Sequence, residues 1–267
     1  FHDYPNVESY IKGVTTLRGG ICLFLWDREY DDDCLLINRI NHQDYPMTRP
    51  LRYTHGDFRA DFLIRWNEGL SILGKVLSRE TSFIYEKDSP LMRSRNPFRF
   101  PNTTDNFSQR KTQQSRTKVY LEKGKVGYAK DSQYSHTPEL ETLKNSWKVL
   151  IAKSSSGTDS LPHLVISDPI VSEPGSVTAN THYIIEGVPT EREARNLAAY
   201  MRTKFFRFMV NLLRGNQNMR PDMYQFAPRL DFTRSWTDRQ LYDRYNLTPR
   251  EREFIDLVIR DMNTKKN

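Results

Sequence analysis

Short apolar runs typical of strands predominate in the first 188 residues of the chain, and apolar positions at helical spacing predominate in the rest. Residues 21–26 form an apolar run after two glycines, and residues 34–37 form another after an acidic turn. These runs predict a buried strand and its hairpin partner. Asn67 precedes leucines and valines at helical spacing, which predicts a helix over 68–79 with Asn67 as its N-cap. Later apolar runs predict strands at 147–152, 164–166, 169–171 and 183–185.

The pattern after residue 188 predicts three helices. Residues 191–214 carry apolar side chains along one face, behind a capping box of Thr190 and Glu193 and ahead of Gly215. The last helix also has proline at its first position and a capping-box Glu251, both of which favour a helix start. The two shorter helices with threonine N-caps are at 238–245 after Thr237 and at 249–262 after Thr248.

Strand-like runs followed by helices, rather than alternating with them, are typical of an α+β fold. We therefore predict a mixed β-sheet part over 1–188 and a helical part over 189–267, packed together as one unit. The chain has 267 residues, enough for one large domain or two small ones. No apolar run approaches the ~18 residues of a membrane-spanning helix, so no membrane partner is expected. Because the chain starts at Phe1 without methionine, we expect it to be a piece of a longer protein.

Positive charge is concentrated in one stretch of the chain. Between residues 92 and 130, ten Lys and Arg stand against two acidic residues, a net charge of +8, whereas the whole chain carries +7. The middle of this stretch, 102–116, is polar and nearly without aliphatic side chains, which predicts a long loop or a poorly ordered arm. Such a basic excess is typical of proteins that bind nucleic acid, an acidic partner or an anionic membrane.

Several catalytic motifs are missing from the sequence. No two glycines are separated by a single residue (G-x-G), so there is no dinucleotide fingerprint, and neither a Walker loop nor a glycine-rich S-adenosylmethionine loop is present. No Lys follows an acidic residue by two positions, which removes half of the common metal-dependent nuclease site. Asn96-Pro97-Phe98 lacks the second proline of the N-P-P-aromatic turn used by amino-methylating enzymes, so we interpret it as a loop turn. Cys22 and Cys34 are too few for a zinc quartet, and we expect ordinary core cysteines in a reducing compartment.

Two polar clusters, at 93–99 and 215–220, contain side chains of the types that read base edges in DNA-binding proteins. Arg matches O6 and N7 of guanine, and Asn or Gln matches N6 and N7 of adenine. A solvated helix face and an ordinary asparagine-rich turn remain the alternative interpretations. The candidate base-reading residues are Arg95, Asn96, Arg99, Asn216, Gln217, Asn218 and Arg220. The candidate phosphate contacts are Lys118, Lys123, Lys125, Lys153, Arg202, Lys204 and Arg207.

Five stretches, in order along the chain, resemble the motifs of one family. Residues 19–28 read G-G-I-C-L-F-L-W-D-R, similar to G-G-V-C-Y-F-L-W-D-R. Residues 94–98 read S-R-N-P-F, similar to S-R-N-P-F-G. Residues 172–183 resemble an E-P-G-S and T-x-Y pair, and residues 200–208 resemble Y-x-x-T-K-F-F-R-F. Residues 231–248 resemble a closing series of D-F-T, W-T-D, L-Y and L-T.

The family that these motifs resemble is the C-terminal target-recognition region of type II restriction-modification adenine-N6 DNA methyltransferases, including enzymes with a fused nuclease. The resemblance implies that the chain grips double-stranded DNA and reads a short site, while an upstream domain binds S-adenosylmethionine and methylates a flipped adenine. It implies no cofactor in this chain, a cytoplasmic location in a prokaryote and a role in prokaryotic defence. Two positions depart from the family: Arg99 replaces the glycine after N-P-F, and Asn216-Gln217 replaces a T-Q pair.

Two other functions stay open. The chain would be a protein-interaction or subunit module of a restriction complex if its two C-terminal helices bind another subunit. It would be a restriction endonuclease in its own right if it cuts nucleic acid with a site that no motif reveals. If the chain is instead the target-recognition region, it is not an enzyme by itself. Its parent is then a site-specific adenine DNA methyltransferase, with or without endonuclease activity.

Overall fold

The computed structural model describes residues 1–5, 10–11, 20–56, 58–60, 63–86, 96–100, 107–155, 161–215 and 218–262. Within these residues the fold is α+β, as predicted, with six helices that lie mostly in the C-terminal part. The strands are β1 (His2–Tyr4), β2 (Ile21–Leu23), β3 (Cys34–Ile40), β4 (Gln43–Arg49), β5 (Thr54–His55), β6 (Phe58–Arg59), β7 (Thr117–Tyr120), β8 (Val126–Ala129), β9 (Trp147–Ala152), β10 (Ile170–Ser172), β11 (Ser176–Thr178) and β12 (His182–Val188). The helices are α1 (Gly69–Leu77), α2 (Pro138–Lys144), α3 (Glu191–Arg202), α4 (Lys204–Asn211), α5 (Asp238–Arg244) and α6 (Pro249–Val258).

Four N-terminal strands form a sheet in the order β2-β1-β3-β4. β1 runs parallel to β3, and the Ile37 amide donates to the Phe1 carbonyl at 2.8 Å. The predicted hairpin between 21–26 and 34–37 is therefore wrong, because β1 occupies the edge of β3 that the hairpin would have used. The antiparallel partner of β3 is β4, which follows it directly in the chain.

The predicted buried strand at 21–26 is short and exposed. β2 ends at Leu23, and the side chains of Phe24, Leu25 and Trp26 are 64%, 93% and 74% exposed. Cys22 is also exposed and Cys34 is partly buried, so the expectation of two core cysteines is wrong. The physical reason is that β2 is an edge strand, hydrogen-bonded only to the short β1, and apolar content alone does not show which runs find a partner.

The sheet β10-β9-β12 is buried on both faces and separates two hydrophobic cores. On β9, Val149 and Ile151 lie in the larger core and Leu150 lies in the smaller one. Ile185 and Ile184 of β12 are divided in the same way. Burial on both faces explains why the sequence of β9 is continuously apolar rather than alternating. The larger core contains the C-terminal helices, and the smaller one, here called the second core, contains β7, β8 and β11.

Three of the four strands predicted in this region are confirmed, as β9, β10 and β12. Residues 164–166 do not form a strand. The chain there makes an isolated bridge between His163 and Ile259, and Val165 has a positive φ of 73°. A residue with left-handed backbone angles interrupts an extended strand, and the hydrophobicity of the residue does not reveal those angles.

The helix predicted over 191–214 is two helices, α3 and α4, separated at Thr203. Thr203 is extended, with ψ of 150°, and its hydroxyl accepts a hydrogen bond from the Phe206 amide. The Asp238 carboxylate accepts from the Lys204 and Phe205 amides at 3.0 and 2.8 Å. Two acceptors therefore satisfy the free amides of a new helix start. The apolar face continues across the break, so the periodicity does not reveal it.

The two C-terminal helices begin where the sequence predicts them. Thr237 caps α5 and Thr248 caps α6, each in a capping box. α6 ends at Val258, four residues before its predicted end at 262. Helix starts are specified by local chemistry, and so the sequence locates them well.

A buried polar network joins the N-terminal sheet to the chain before α1. The Asp3 carboxylate receives two hydrogen bonds from Arg65, at 2.9 and 3.0 Å, and one from Asn38. The Asn67 amide donates to the carbonyls of Leu36 and Tyr45 rather than capping α1. The predicted N-cap role of Asn67 is therefore wrong, and Glu68 occupies the N-cap position without a side-chain bond.

Candidate nucleic-acid interface

The basic stretch contains a β-hairpin at 117–130, and the described part of its predicted loop, 107–116, is a loop. Within it, β7 and β8 form a hairpin whose tip places Lys123 and Gly124 in the left-handed region, with φ of 56° and 73°. The Leu121 amide donates to the Lys125 carbonyl at 2.9 Å and closes the turn. The hairpin therefore holds the exposed side chains of Lys123 and Lys125 at its tip. Residues 92–95 and 101–106 of the stretch lie outside the described residues.

The loop 107–116 is fixed along the outer edge of this hairpin. Ser108 and Tyr128 exchange backbone hydrogen bonds at 3.0 and 2.8 Å, which adds a short fourth element to the sheet β11-β7-β8. The Phe107 ring packs edge-on against Phe100, with centroids 5.3 Å apart. At the other end of the loop, Ser115 is buried. The intervening residues 109–114 are all exposed.

We call the loop 107–116 and the hairpin 117–130 together the basic module. Six of its cations are exposed and form no ion pair with a carboxylate in the part of the chain that the structure describes. Glu122 is the one acidic residue in the sequence of this module. A cluster of cations without internal counter-ions creates a positive potential that attracts polyanions. The six cations are Arg110, Lys111, Arg116, Lys123, Lys125 and Lys130.

The segment at 96–100 anchors the second core through Phe98 and Phe100, and Asn96 is partly buried. The Asn96 side-chain amide donates to the Phe100 carbonyl at 2.7 Å, and its oxygen accepts from the Phe100 amide at 3.0 Å. Both ends of the Asn96 amide are engaged inside the loop, and base reading by Asn96 stays a prediction. Arg99 is exposed and has a positive φ of 52°, a conformation that glycine adopts at lower cost. Arg95 lies outside the described residues.

The second predicted cluster is only partly described. Asn216 and Gln217 lie outside the described residues. Asn218 is exposed and forms a strand-like bridge with Ser154, next to Lys153. Arg220 is exposed, but Asp222 binds its guanidinium at 2.8 and 3.0 Å, and this hydrogen bonding raises the pKa of Arg220. Reading a base with Arg220 would require this pair to open.

Lys118 and Lys153 are engaged with the protein. The Lys118 ammonium is 2.8 Å from the Glu173 carboxylate and lies over the Tyr120 ring. Burial lowers the pKa of Lys118, but hydrogen bonds to Glu173 and Tyr120 outweigh burial, so the pKa is raised overall. The Lys153 ammonium donates to the side chain of Asn180 at 2.5 Å. Lys118 is therefore partly neutralised, and only Lys123 and Lys125 of the predicted phosphate contacts are free of a carboxylate within the basic module.

The predicted phosphate contacts at the α3–α4 break are neutralised or buried. Arg202 pairs with Asp168 at 2.7 Å, and Lys204 pairs with Asp256 at 2.6 Å. Arg207 is 1% exposed and donates to backbone carbonyls, including that of Arg260 at 2.7 Å. Burial lowers its pKa to about 10. Arg207 is therefore a structural residue that a phosphate cannot reach, and the prediction for it is wrong.

Sequence reasoning did not name residues 109–116 as candidates for contact with nucleic acid. Their exposed glutamines, Gln109, Gln113 and Gln114, lie among Arg110, Lys111 and Arg116. The mixture of amides and cations is visible in the sequence, but the polar composition of 102–116 predicts only a long loop or a poorly ordered arm. What the sequence does not show is that backbone bonds to β8 hold this loop in place.

A second surface feature is an exposed apolar segment at 23–26, which coincides with the G-G-I-C-L-F-L-W-D-R motif. The Phe1 ring stacks on Phe24 with centroids 5.6 Å apart, yet most of the segment stays uncovered. Three consecutive aspartates, at 31–33, follow it. Contiguous exposed apolar side chains mark a contact surface, whereas single ones do not.

Comparison of the chain with protein-family models, with curated proteins and with solved structures finds no match. Among the described residues, no three His, Cys, Asp or Glu side chains are grouped so that they could hold a metal ion. No helix in the described ranges is both long and apolar enough to cross a membrane. The basic module and the exposed apolar segment are the features that bear on function.

Proposed function

We propose that this chain is the double-stranded DNA-recognition module of a type II restriction-modification adenine-N6 DNA methyltransferase. The observation that carries the proposal is the set of six exposed cations on the basic module, none of which has a carboxylate partner in the described chain. Cations that are already free of internal partners bind phosphates without first breaking an ion pair.

Duplex DNA fits this surface better than a lipid surface. Each phosphate neutralised by a Lys or Arg releases condensed counter-ions, so six contacts would give a salt slope of about −5 in a plot of log K against log salt. Loop residues 109–114 interleave amides with cations and carry no apolar side chain that would enter a bilayer. The hairpin and loop are already held by backbone hydrogen bonds, so little ordering entropy is lost on binding.

The methyl-transfer chemistry is assigned to another domain of the parent protein. Asn96-Pro97-Phe98 resembles the family's recognition segment and lacks the second proline of the N-P-P-aromatic turn, and the Asn96 amide is hydrogen-bonded to the Phe100 backbone. S-adenosylmethionine would bind in the upstream domain. The chain itself would hold the neighbouring base pairs while the target adenine leaves the stack, a step that costs a few kcal/mol.

The exposed apolar segment at 23–26 supports the presence of a partner domain. Its side chains belong to the G-G-I-C-L-F-L-W-D-R stretch, which resembles a motif of the methyltransferase family. Most of their surface is exposed. We assign this surface to the contact with the upstream methyltransferase domain. The same observation favours the subunit-module alternative, in which another subunit covers the segment. Either way the protein works in the cytoplasm of a prokaryote.

The test is DNA binding by a charge variant with a matched control. The variant Arg110→Gln, Lys123→Gln and Lys125→Gln removes three unpaired cations of the basic module. Fluorescence anisotropy with a 30-base-pair duplex, from about 50 to 200 mM salt, gives Kd and the salt slope. We expect the slope to fall in magnitude by roughly 3, because each lost phosphate contact removes about 0.9.

The control removes the same charge from the C-terminal helices by changing three exposed arginines to glutamine: Arg195, Arg239 and Arg250. Its Kd and salt slope should stay close to those of the unmodified chain. Equal weakening by both variants would contradict the proposed interface, and no DNA binding at 50 mM salt by the unmodified chain would overturn the proposed function. Nicking of the duplex on addition of Mg²⁺ would favour the endonuclease alternative instead.

A further inference from the structure

The tip of the loop in the basic module is a closed turn around two glutamines. The Thr112 amide donates to the Ser115 carbonyl at 3.0 Å, and the Ser115 amide donates to the Thr112 hydroxyl at 2.9 Å. These two bonds bring the ends of the turn together. Gln113 and Gln114 lie between them, and both are exposed. The turn therefore carries two adjacent amide side chains at its outermost point.

Both ends of the loop are attached to the folded protein. Upstream, the Ser108 hydroxyl accepts from the Arg110 amide at 3.2 Å, and the Ser108 backbone is paired with Tyr128. Downstream, Ser115 is buried, and the Thr117 hydroxyl bonds to Tyr134 at 3.0 Å. A loop that is held at both ends presents its tip in one position, which is what specific recognition requires.

The two amides have no partner among the residues that the structure describes. The side chains of Gln113 and Gln114 make no hydrogen bond in the described part of the chain, whereas both ends of the Asn96 amide are occupied. The neighbouring Lys111 and Arg116 are exposed and unpaired on either side of the turn. Unengaged amides between two cations are the arrangement expected where a base edge is read between phosphate contacts.

We propose that the Gln113–Gln114 turn enters the major groove and that one of the two glutamines reads an adenine of the recognised site. The inference rests on the proposed DNA-binding function. The glutamine Oε1 accepts from the adenine N6 amino group while Nε2 donates to N7, a pair of bonds that no other base offers in the same order. The flanking Lys111 and Arg116 hold the phosphates on either side. A bidentate contact of this kind discriminates by roughly 10-fold to 100-fold against the wrong base.

Selection from a library of randomised duplexes by the full chain tests this inference. The variants are Gln113→Ala and Gln114→Ala, and the matched control is Gln109→Ala, an exposed glutamine outside the turn. We expect one of the two turn variants to lose the preference for adenine at one position by about 10-fold or more. Its affinity for unselected DNA and its salt slope should not change, because no cation is removed. The control should return the motif of the unmodified chain.

A charge-bearing variant at the same position gives a sharper result. Glutamate accepts from the N4 amino group of cytosine but donates nothing to adenine N7. Gln113→Glu or Gln114→Glu, whichever residue the alanine variants identify, should therefore move the preference at that position from adenine to cytosine. An unfolded variant is recognised by circular dichroism, and all these positions are exposed, so folding should be preserved.

Failure of base reading by the Gln113–Gln114 turn and failure of DNA binding by the chain give different results. If the chain binds duplex DNA with the expected salt dependence but the motif persists in both alanine variants, or no adenine position is enriched at all, reading by this turn is wrong and the DNA grip stands. If the unmodified chain binds no duplex DNA, the proposed function itself fails.

Discussion

Arg99 occupies a backbone conformation that costs an L-residue free energy. Its φ of 52° lies in the left-handed region, between the buried side chains of Phe98 and Phe100. The bonds between Asn96 and Phe100 hold the turn in this shape. Glycine adopts this backbone conformation without the steric cost that a Cβ imposes.

Arg99→Gly should therefore stabilise the chain. A left-handed L-residue costs about 1–2 kcal/mol, and glycine loses roughly 0.5–1 kcal/mol through backbone entropy, so the net gain is about 0.5–1 kcal/mol. Thermal denaturation should register this as a rise in Tm of about 1–3 °C. The control Arg116→Gly, at an exposed position without a positive φ, should lower Tm. A fall in Tm for both variants would contradict the explanation.

Asn67 provides the second test at this scale. Its amide donates to the Leu36 and Tyr45 carbonyls at 2.8 and 2.9 Å, and its oxygen accepts from Arg49 at 2.9 Å. Asn67→Ala should lower the free energy of unfolding by about 2–4 kcal/mol, because buried groups lose their partners. Asn67→Ser distinguishes the network from a cap. Serine replaces asparagine as an N-cap at little cost, so chemical denaturation should show no loss if Asn67 acted as a cap, and a loss similar to that of alanine if it holds the network.

His182, at the start of β12, contributes a dependence of stability on pH. Burial, together with the charge of Lys153, lowers the pKa of His182 from 6.5 to about 4. The unfolded state therefore binds a proton that the folded state excludes between these pH values. The contribution of His182 to stability is fully present above pH 6.5 and is lost as pH falls through about 4.

In the wild type, the free energy of unfolding should fall by up to about 3 kcal/mol from this group between pH 6.5 and 4. His182→Gln should remove that part of the dependence, which urea denaturation at several pH values measures. His136 is the control. Hydrogen bonds to the Asp131 carbonyl and to Glu141 raise its pKa, so His136→Gln should change the pH dependence with the opposite sign. Parallel pH curves for wild type and His182→Gln would refute the assignment.

At the scale of elements, the sequence locates those that are specified locally. The starts of α5 and α6 follow from threonine caps, and β9 follows from its apolar run. Non-local partners decide the rest. The break at Thr203 depends on Asp238, which comes much later in the chain. The predicted hairpin between 21–26 and 34–37 does not form because β1 lies beside β3. A single sequence shows neither partner.

The candidate site follows the same division. Lys123 and Lys125, two of the candidate phosphate contacts, are exposed at a hairpin tip that the sequence analysis does not predict. Arg207 resembles a helix-surface arginine in sequence, but the packing of residues 164 and 260 against α4 buries it. The turn at Gln113 was overlooked because its rigidity comes from bonds to β8 and from within the turn.

At the scale of the whole molecule, the exposed apolar segment at 23–26 makes a prediction about the isolated chain. Leu25 and Trp26 are 93% and 74% exposed, so they contribute little burial to the folded state. The variant Leu25→Ser, Trp26→Ser should keep the Tm of the wild type and should reduce concentration-dependent association in sedimentation experiments. Leu36→Ser, at a buried position on β3, should lower Tm strongly. A comparable loss of Tm in the first variant would mean that the chain itself covers the segment.

The sheet β10-β9-β12 has a consequence for how the protein is made. Both of its faces are needed, one by each core, and β12 ends at Val188. The chain is synthesised from its N-terminus, so β7 and β8 leave the ribosome before β12, the last strand of the sheet against which they pack. Until then the basic module has no second core beneath it and no fixed presentation of its side chains. The fixed presentation of the six exposed cations is therefore acquired only after β12 has been synthesised, although the residues that carry them are synthesised earlier.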